Sequence, residues 1–210
     1  LVGSEMCIRD RLEGSRIELG HSTQMLAEGV DGGRIVLTSK QDDRFGAGGT
    51  FDTNNNGLNG VGDARQQDWS GIYASPGANL SFDNSVVAYS GGISRLEGTF
   101  KAFSPVELQQ ATARIVNTVF ENNGNGMGGQ GPIDRLGRPA NENYPFGNNN
   151  SRGSTVFARG TQPIFLDNVF QNNNGTAITI DANSMDAQLR GDLGRQTGNV
   201  DRDKNLDWNR

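Results

Sequence analysis

Cysteine, histidine and long apolar runs are nearly missing from this chain of 210 residues, and each shortage excludes a class of protein. The single cysteine, Cys7, cannot form an internal disulfide. The single histidine, His21, lies in a polar turn with no nucleophile pattern around it, so we interpret it as a surface residue. No apolar run approaches the ~18 residues of a membrane span. A hydrophobic content of 33% does not suit a helical bundle or an α/β enzyme with a thick core.

Positive charge is also scarce, and no basic patch stands out. The formal net charge is −5 and the isoelectric point is about 4.9, which excludes nucleic acid as the expected partner. Glycine is abundant, at 30 residues, and the apolar residues come in short β-branched runs. A solenoid with a thin core needs few apolar residues per coil, so this composition favours a solenoid.

One motif occurs three times and organises the chain. It reads NSVVAYSG from Asn84, NTVFENNG from Asn117 and DNVFQNNN from Asp167, and the second interval is longer than the first. Repeats of roughly 20–50 residues are typical of solenoids, and unequal intervals indicate coils with loops inserted between strands. Asn tolerates the left-handed backbone of turns, and stacked Asn side chains can hydrogen-bond from coil to coil.

Short runs with period-2 alternation predict strands whose Ile, Val, Leu and Phe residues point inward. They predict an all-β fold, a parallel β-helix of roughly four coils of three strands. Long polar insertions interrupt it at about 39–68 and 125–152. The predicted strands are 16–19, 24–27 and 33–38; 69–74, 80–82 and 86–89; 98–103, 106–108 and 113–120; and 154–158, 163–166, 169–170 and 177–180.

Four stretches carry a likeness to known repeats. They are IVLTS at 35–39 before a DD loop, DWSGI at 68–72, EGTF at 97–100, and the NNVF-type copies followed by AITI at 177–180. Over 14–198 they resemble the right-handed parallel β-helix repeats of very large secreted or cell-surface proteins of planctomycete-like bacteria. The resemblance implies right-handed winding, three parallel strands per coil, an extracellular or cell-surface location and neighbouring coils in a longer chain. It implies no particular activity.

The first residues share no pattern with the rest. Residues 1–11, LVGSEMCIRDR, resemble translated adapter sequence from environmental assemblies, so we expect 1–13 to be non-native or disordered. The predicted organisation is then a β-helix over 14–198 and a polar tail over 199–210.

The first insertion contains a candidate calcium loop. Calcium loops place oxygen ligands at positions 1, 3 and 5, glycine at 6, a backbone carbonyl at 7 and a carboxylate at 12. The residues in ligand positions are Asp52, Asn54, Asn56, Leu58 (through its carbonyl) and Asp63. Ca²⁺ prefers such hard oxygen ligands, and the match resembles loops of the dockerin type. With two charged ligands, we expect weak binding. The alternative is an Asn/Gly-rich surface loop.

Two other groups of residues could serve a ligand or a reaction. Trp69, Tyr73 and Tyr89 belong to one coil and could bind a sugar, although Trp69 at the start of a strand is more typical of a packing anchor. Asp83 and Asp167 occupy nearby motif positions and could approach across coils, as a two-carboxylate hydrolase requires. Because Asp167 aligns with Asn117, we interpret it as a turn residue, and we interpret Arg114 as structural.

The sequence therefore favours a non-enzymatic structural or adhesive segment of a large extracellular or cell-surface protein, binding calcium weakly through the inserted loop. Its expected partner is a polysaccharide or another surface protein. One alternative is a polysaccharide lyase or glycoside hydrolase of the β-helix type. Acidic residues converging on one groove would favour that enzyme, and a groove lined by Asn and Thr would favour the first hypothesis. Another alternative is a passenger segment of an exported surface protein.

Overall fold

The computed structural model describes residues 7–10, 15–45, 52, 57, 63–92, 94–95, 101–102, 104–124 and 154–180. The regular elements among them are all β-strands, and no helix in these ranges is long and apolar enough to cross a membrane. In chain order the strands are β1 Cys7–Asp10, β2 Arg16–Leu19, β3 Gln24–Glu28, β4 Ile35–Ser39, β5 Gly71–Ala74, β6 Asn79–Asp83, β7 Ser85–Ala88, β8 Ser94–Arg95, β9 Lys101–Ala102, β10 Val106–Gln109, β11 Thr112–Val116, β12 Val119–Glu121, β13 Ser154–Arg159, β14 Ile164–Leu166, β15 Val169–Gln171 and β16 Thr176–Ile180.

Three parallel sheets form the body of the molecule. Sheet 1 has the strand order β2-β5-β10-β13-β16, sheet 2 the order β3-β6-β11-β14, and sheet 3 the order β1-β4-β7-β12-β15. Each strand pairs in parallel with its equivalent one coil away, as β5 does with β10 and β6 with β11. Within the described ranges the chain completes four coils, β2–β4, β5–β7, β10–β12 and β13–β15, and β1 and β16 extend sheets 3 and 1 beyond them. The predicted all-β parallel solenoid is confirmed, and its right-handed sense stays a prediction from the resemblance.

The interior is a narrow apolar column. Side chains that alternate inward along each strand stack on their equivalents in the next coil, and the rings of Phe120 and Phe170 are parallel with centroids 4.9 Å apart. The fully buried inward residues include Leu37, Ile72, Leu80, Phe82, Val87, Val106, Leu108, Ile115, Phe120 and Val156. The expected inward set of Ile, Val, Leu and Phe is confirmed at these positions.

Each corner of the coil is turned by a residue with left-handed backbone. Between sheets 2 and 3 these residues are Asn84, Asn117 and Asp167, with φ of 46°, 46° and 52°. Asn and Asp adopt this conformation more readily than other non-glycine residues, which explains the polar start of each repeat copy. The other two corners use Ser22, Gly77, Gln110 and Gly160, and Tyr89, Asn122 and Asn172.

Asparagine side chains link the coils from within, as the sequence predicts. The buried Asn123 accepts hydrogen bonds from the Ser90 amide at 2.9 Å and the Ser90 hydroxyl at 2.7 Å. Its Nδ2 donates to the Val87 carbonyl and to Asn173 Oδ1, each at 2.9 Å. These bonds satisfy polar groups that would otherwise be buried without partners.

One predicted strand of the third coil lies elsewhere. The run at 98–103 was expected to open that coil, but Lys101–Ala102 pairs antiparallel with Ser94–Arg95 as a β9–β8 hairpin. The coil begins instead at β10, because Val106 is in register with Ile72 of β5. The hairpin lies beside sheet 1, where Arg16 Nη1 donates to Ser94 Oγ at 2.7 Å. The strands β8 and β9 therefore form a separate two-stranded sheet outside the three parallel sheets.

The ends of the chain are described only in part. Cys7–Asp10, within the segment interpreted as non-native, forms β1 and pairs in parallel with β4. That pairing does not test the origin of the segment, which stays a prediction. The predicted insertion at 125–152 and the tail at 199–210 lie wholly outside the described residues.

Candidate functional site

A polar groove runs across the coils at the corner between sheets 2 and 3. It has a volume of about 460 Å³, within the range of about 300–1,000 Å³ that is usual for small-molecule sites. All four coils contribute to it. The lining residues are Gly29, Val30, Asp31, Arg34, Asp83, Asn84, Asn117, Val119, Asp167 and Val169.

The groove exists because the corner of the first coil is longer than the others. That corner extends from residue 29 to residue 34 and is closed by a two-way backbone pairing of Val30 with Gly33 at 2.8 and 3.1 Å. The second coil makes the same corner with Asn84 alone. Asn84 Nδ2 donates to the Val30 carbonyl, so the projecting corner is tied to the coil beside it and forms a wall of the groove.

Asp83 is the most constrained carboxylate of the groove. Asn117 Nδ2 donates to its Oδ1 at 3.0 Å, and Arg114 Nη2 donates to its Oδ2 at 3.0 Å. The Asn117 hydrogen bond, with help from Arg114, lowers the pKa of Asp83. Asp83 is therefore held in the ionised form, and Arg114 pairs with it from the neighbouring coil.

We expect this carboxylate to make stability depend on acidity. A lowered pKa in the folded state stabilises the fold above the ordinary Asp pKa of about 3.9, and the contribution disappears as the pH falls through the folded-state value. Asp83→Asn should therefore cost less than about 1 kcal/mol near neutrality, because the pair is partly exposed. The stability gap to the wild type should close below about pH 4 in urea titrations. A gap that stays constant down to about pH 3 would contradict the proposed linkage.

The outer faces of the three sheets differ in how they are covered. Val36 and Val86 point outward from sheet 3, yet they are buried together with Phe45 and Ala64 of the first insertion. On sheet 1 the outward residues Glu107 and Phe157 are buried as well. On sheet 2, by contrast, Leu26 is 58% exposed and Ile164 is 61% exposed. The groove therefore borders the open face of the solenoid.

Arg44 fastens the first insertion to sheet 3. It binds the buried Asp42 at 2.7 Å and Glu121 of β12 at 2.8 Å. Its guanidinium lies over the rings of Phe45 and Tyr89, at 4.9 and 5.3 Å from their centroids. The hydrogen bond and charge of Asp42 raise the pKa of Arg44 further above its already high value. Ser39 and Asp68 close the base of the same insertion through a 2.5 Å hydrogen bond.

The structure describes two residues within the first half of the candidate calcium loop. Asp52 Oδ2 accepts a hydrogen bond from the Gly57 amide at 2.6 Å, which links loop positions 1 and 6. Asp63, at position 12, is exposed. The other candidate ligands, Asn54, Asn56 and Leu58, lie outside the described residues. Among the residues that are described, no group of three or more His, Cys, Asp or Glu is placed to hold a metal ion.

The candidate sugar-binding aromatic residues do not share an exposed surface. Trp69 is 1% exposed, packs in the interior cluster and donates from Nε1 to the Ala88 carbonyl at 2.8 Å. This is the position of a packing anchor. Tyr89 is buried beneath the first insertion, and burial raises its pKa. Tyr73 is half-buried and points outward from sheet 1. The exposed His21 contacts the Pro76 carbonyl through Nδ1 at 2.9 Å.

Sequence reasoning pointed to Asp83 and Asp167, and both line the groove, but it missed Asp31 and Arg34. The sequence feature that could have indicated them is the length of the first corner, GVDGGR, which is six residues long, whereas the later corners have one or two. Comparisons with known proteins add no relative from which a role could be transferred. No family model, curated protein or solved structure matches the chain.

Proposed function

We propose that this chain is a non-catalytic segment of an extracellular or cell-surface protein, with a structural or adhesive role in which the groove holds a ligand. The observation that supports this most directly is the state of Asp83. Asn117 and Arg114 bind both of its oxygens and keep it ionised. A carboxylate held in this way is suited to accepting hydrogen bonds from a ligand and is a poor general acid.

Catalysis on a polysaccharide is the second candidate, because Asp31, Asp83 and Asp167 all line one groove. Two-carboxylate hydrolysis needs one carboxyl group that is protonated and one that is ionised. To separate the two functions, the complete chain is incubated with insoluble cellulose, mannan and pectin. Retention on the neutral solids cellulose and mannan is expected, with no new reducing ends or unsaturated products from any of the three polymers. Product release that Asp83→Asn abolishes would establish an enzyme instead.

We also propose weak calcium binding by the loop that begins at Asp52. The Gly57 amide bound to Asp52 fits the tight turn that position 6 provides in such loops. With Asp52 and Asp63 as the two charged candidate ligands, the dissociation constant should fall near 10⁻⁴–10⁻³ M, on the order of extracellular modules. Arg44 and Asp68 hold the base of this insertion on the solenoid, so a metal bound in the loop would stabilise the folded chain.

Thermal melting in EDTA and in excess Ca²⁺ tests this site. At about 100 times the dissociation constant, one site adds roughly 2.7 kcal/mol. For a chain of this size, that corresponds to roughly 5–11 °C in the melting midpoint. Asp52→Ala should abolish the shift, while Asp31→Ala, outside the loop, should keep it. Equal midpoints in EDTA and Ca²⁺ would reduce the loop to a plain insertion.

A further inference from the structure

The floor of the groove repeats with the coils. Asn84, Asn117 and Asp167 occupy equivalent positions at this corner in three successive coils, and Asp83 directly precedes Asn84. Strands in a sheet lie about 4.8 Å apart, so equivalent polar groups recur at that interval along the groove. A ligand that uses the whole row must itself present polar groups repeatedly along its length. This favours a linear polymer over a compact molecule.

The floor and the wall are also fixed before any ligand arrives. Asn117 is bonded to Asp83, and Asn84 is bonded to the Val30 carbonyl of the projecting corner. The left-handed backbone at Asn84, Asn117 and Asp167 sets the direction of each side chain. A site held in this way loses little conformational entropy when it binds, which favours affinity.

The chemistry of the lining combines acceptors, donors and apolar surface. Asp31 and Asp167 offer exposed carboxylate acceptors, and Arg34 offers guanidinium donors. Val169, 48% exposed, and the half-buried Val119 give apolar contact between them. A hydroxyl group both donates and accepts a hydrogen bond. A ring with hydroxyl groups and an apolar face can therefore donate to the carboxylates, accept from the guanidinium and pack on the valine side chains.

The charges of the groove restrict the ligand further. Because Arg114 pairs with Asp83, the charged side chains of the groove that remain for a ligand are Asp31, Asp167 and Arg34. A polyanion would bring like charges against the carboxylates, which costs affinity. A polycation would meet two carboxylates, but its ammonium groups would bring like charge to Arg34 and offer the guanidinium no hydrogen-bond acceptor. We propose that the groove binds a neutral linear glycan, whose hydroxyl groups bind Asp31, Arg34 and Asp167 and whose rings pack on Val169. This proposal rests on the proposed adhesive function and names the ligand class of the same groove.

Calorimetric titration of the complete chain with three hexasaccharides tests the proposal. Cellohexaose is neutral, fully deacetylated chitohexaose is cationic, and hexagalacturonate is anionic. Cellohexaose should bind most tightly of the three. Asp167→Asn keeps the left-handed turn and removes a charged acceptor, so it should weaken cellohexaose binding about tenfold. Val169→Arg fills the groove and should abolish binding. Its control, Leu26→Arg, introduces arginine at an exposed apolar residue of sheet 2 that faces Ser81 outside the groove, and it should bind normally.

Each other outcome overturns either the proposal or the function on which it rests. Tighter binding of either charged hexasaccharide would refute the neutral class. Cellohexaose binding that survives both Val169→Arg and Asp167→Asn would place the site elsewhere, and so would equal loss in Val169→Arg and Leu26→Arg. No binding of cellohexaose would refute the glycan ligand and leave the structural role intact. Cleavage of a bound hexasaccharide would instead overturn the non-catalytic function while the groove and its ligand class remain.

Discussion

Replacing Gly71 by alanine is expected to lower the free energy of unfolding by about 4 kcal/mol. Backbone strain and overpacking both contribute to this loss. Gly71 has φ of 128°, and a Cβ added there would lie 2.3 Å from the Pro105 carbonyl oxygen. That oxygen accepts the hydrogen bond of the Ile72 amide at 2.8 Å. The methyl group would therefore strain the backbone of β5 and push it away from the next coil. Urea unfolding followed by far-ultraviolet circular dichroism measures the change.

Gly32 supplies the matched control. Its φ is 78°, so alanine is strained there too, but a Cβ would meet no atom within 4 Å. The expected loss is about 1 kcal/mol, from backbone strain alone. The difference between the two variants combines the close approach of the coils at Gly71 with the greater backbone strain at φ of 128°. If both substitutions cost the same, the tight contact with Pro105 would not contribute to stability.

The sequence predicts the coil strands correctly where apolar and polar residues alternate, so that every second side chain faces the interior. Phe82 in β6 and Ile115 in β11 show this pattern, and both are buried as expected. The pattern fails on sheet 3, where Val86 and Val87 are adjacent and both buried. One faces the interior and the other faces Phe45 and Ala64 of an insertion. A local pattern cannot reveal that a distant loop covers an outer face.

The same limit explains the misplaced strand and the incomplete site. The run at 98–103 has the alternation of a coil strand, but register with β5 selects β10, and register is a long-range property. The groove depends on how four corners of different length stack. The sequence indicated the turn role of Asn117 and Asp167, which their left-handed backbone confirms. It did not show that the longer corner carrying Asp31 and Arg34 would stand beside them.

The hydrogen bonds that join Asn123 and Asn173 from coil to coil, here called the asparagine ladder, predict a second large loss of stability. Asn123→Ala should lower the free energy of unfolding by at least about 3 kcal/mol, since it leaves several buried partners unsatisfied at about 1–3 kcal/mol each. The amide and hydroxyl of Ser90 and the Val87 carbonyl lose a bond, and Asn173 Oδ1 keeps only the bond from the Asn123 backbone amide at 3.0 Å. The void left by the amide adds to this cost, because the site is fully enclosed. Urea unfolding at neutral pH measures it.

The position of each asparagine along the ladder predicts a gradient. Asn173 bonds to Asn123 and to the Phe120 carbonyl at 2.9 Å, but it is only partly buried, so Asn173→Ala should cost less than Asn123→Ala. Asn174 is exposed, and Asn174→Ala should change stability by no more than about 0.5 kcal/mol. A loss that decreases from Asn123 to Asn173 to Asn174 would show that stability depends on the hydrogen bonds between coils, because all three substitutions remove one asparagine. Equal losses at all three positions would mean that the turns, and not the bonds between coils, hold the solenoid together.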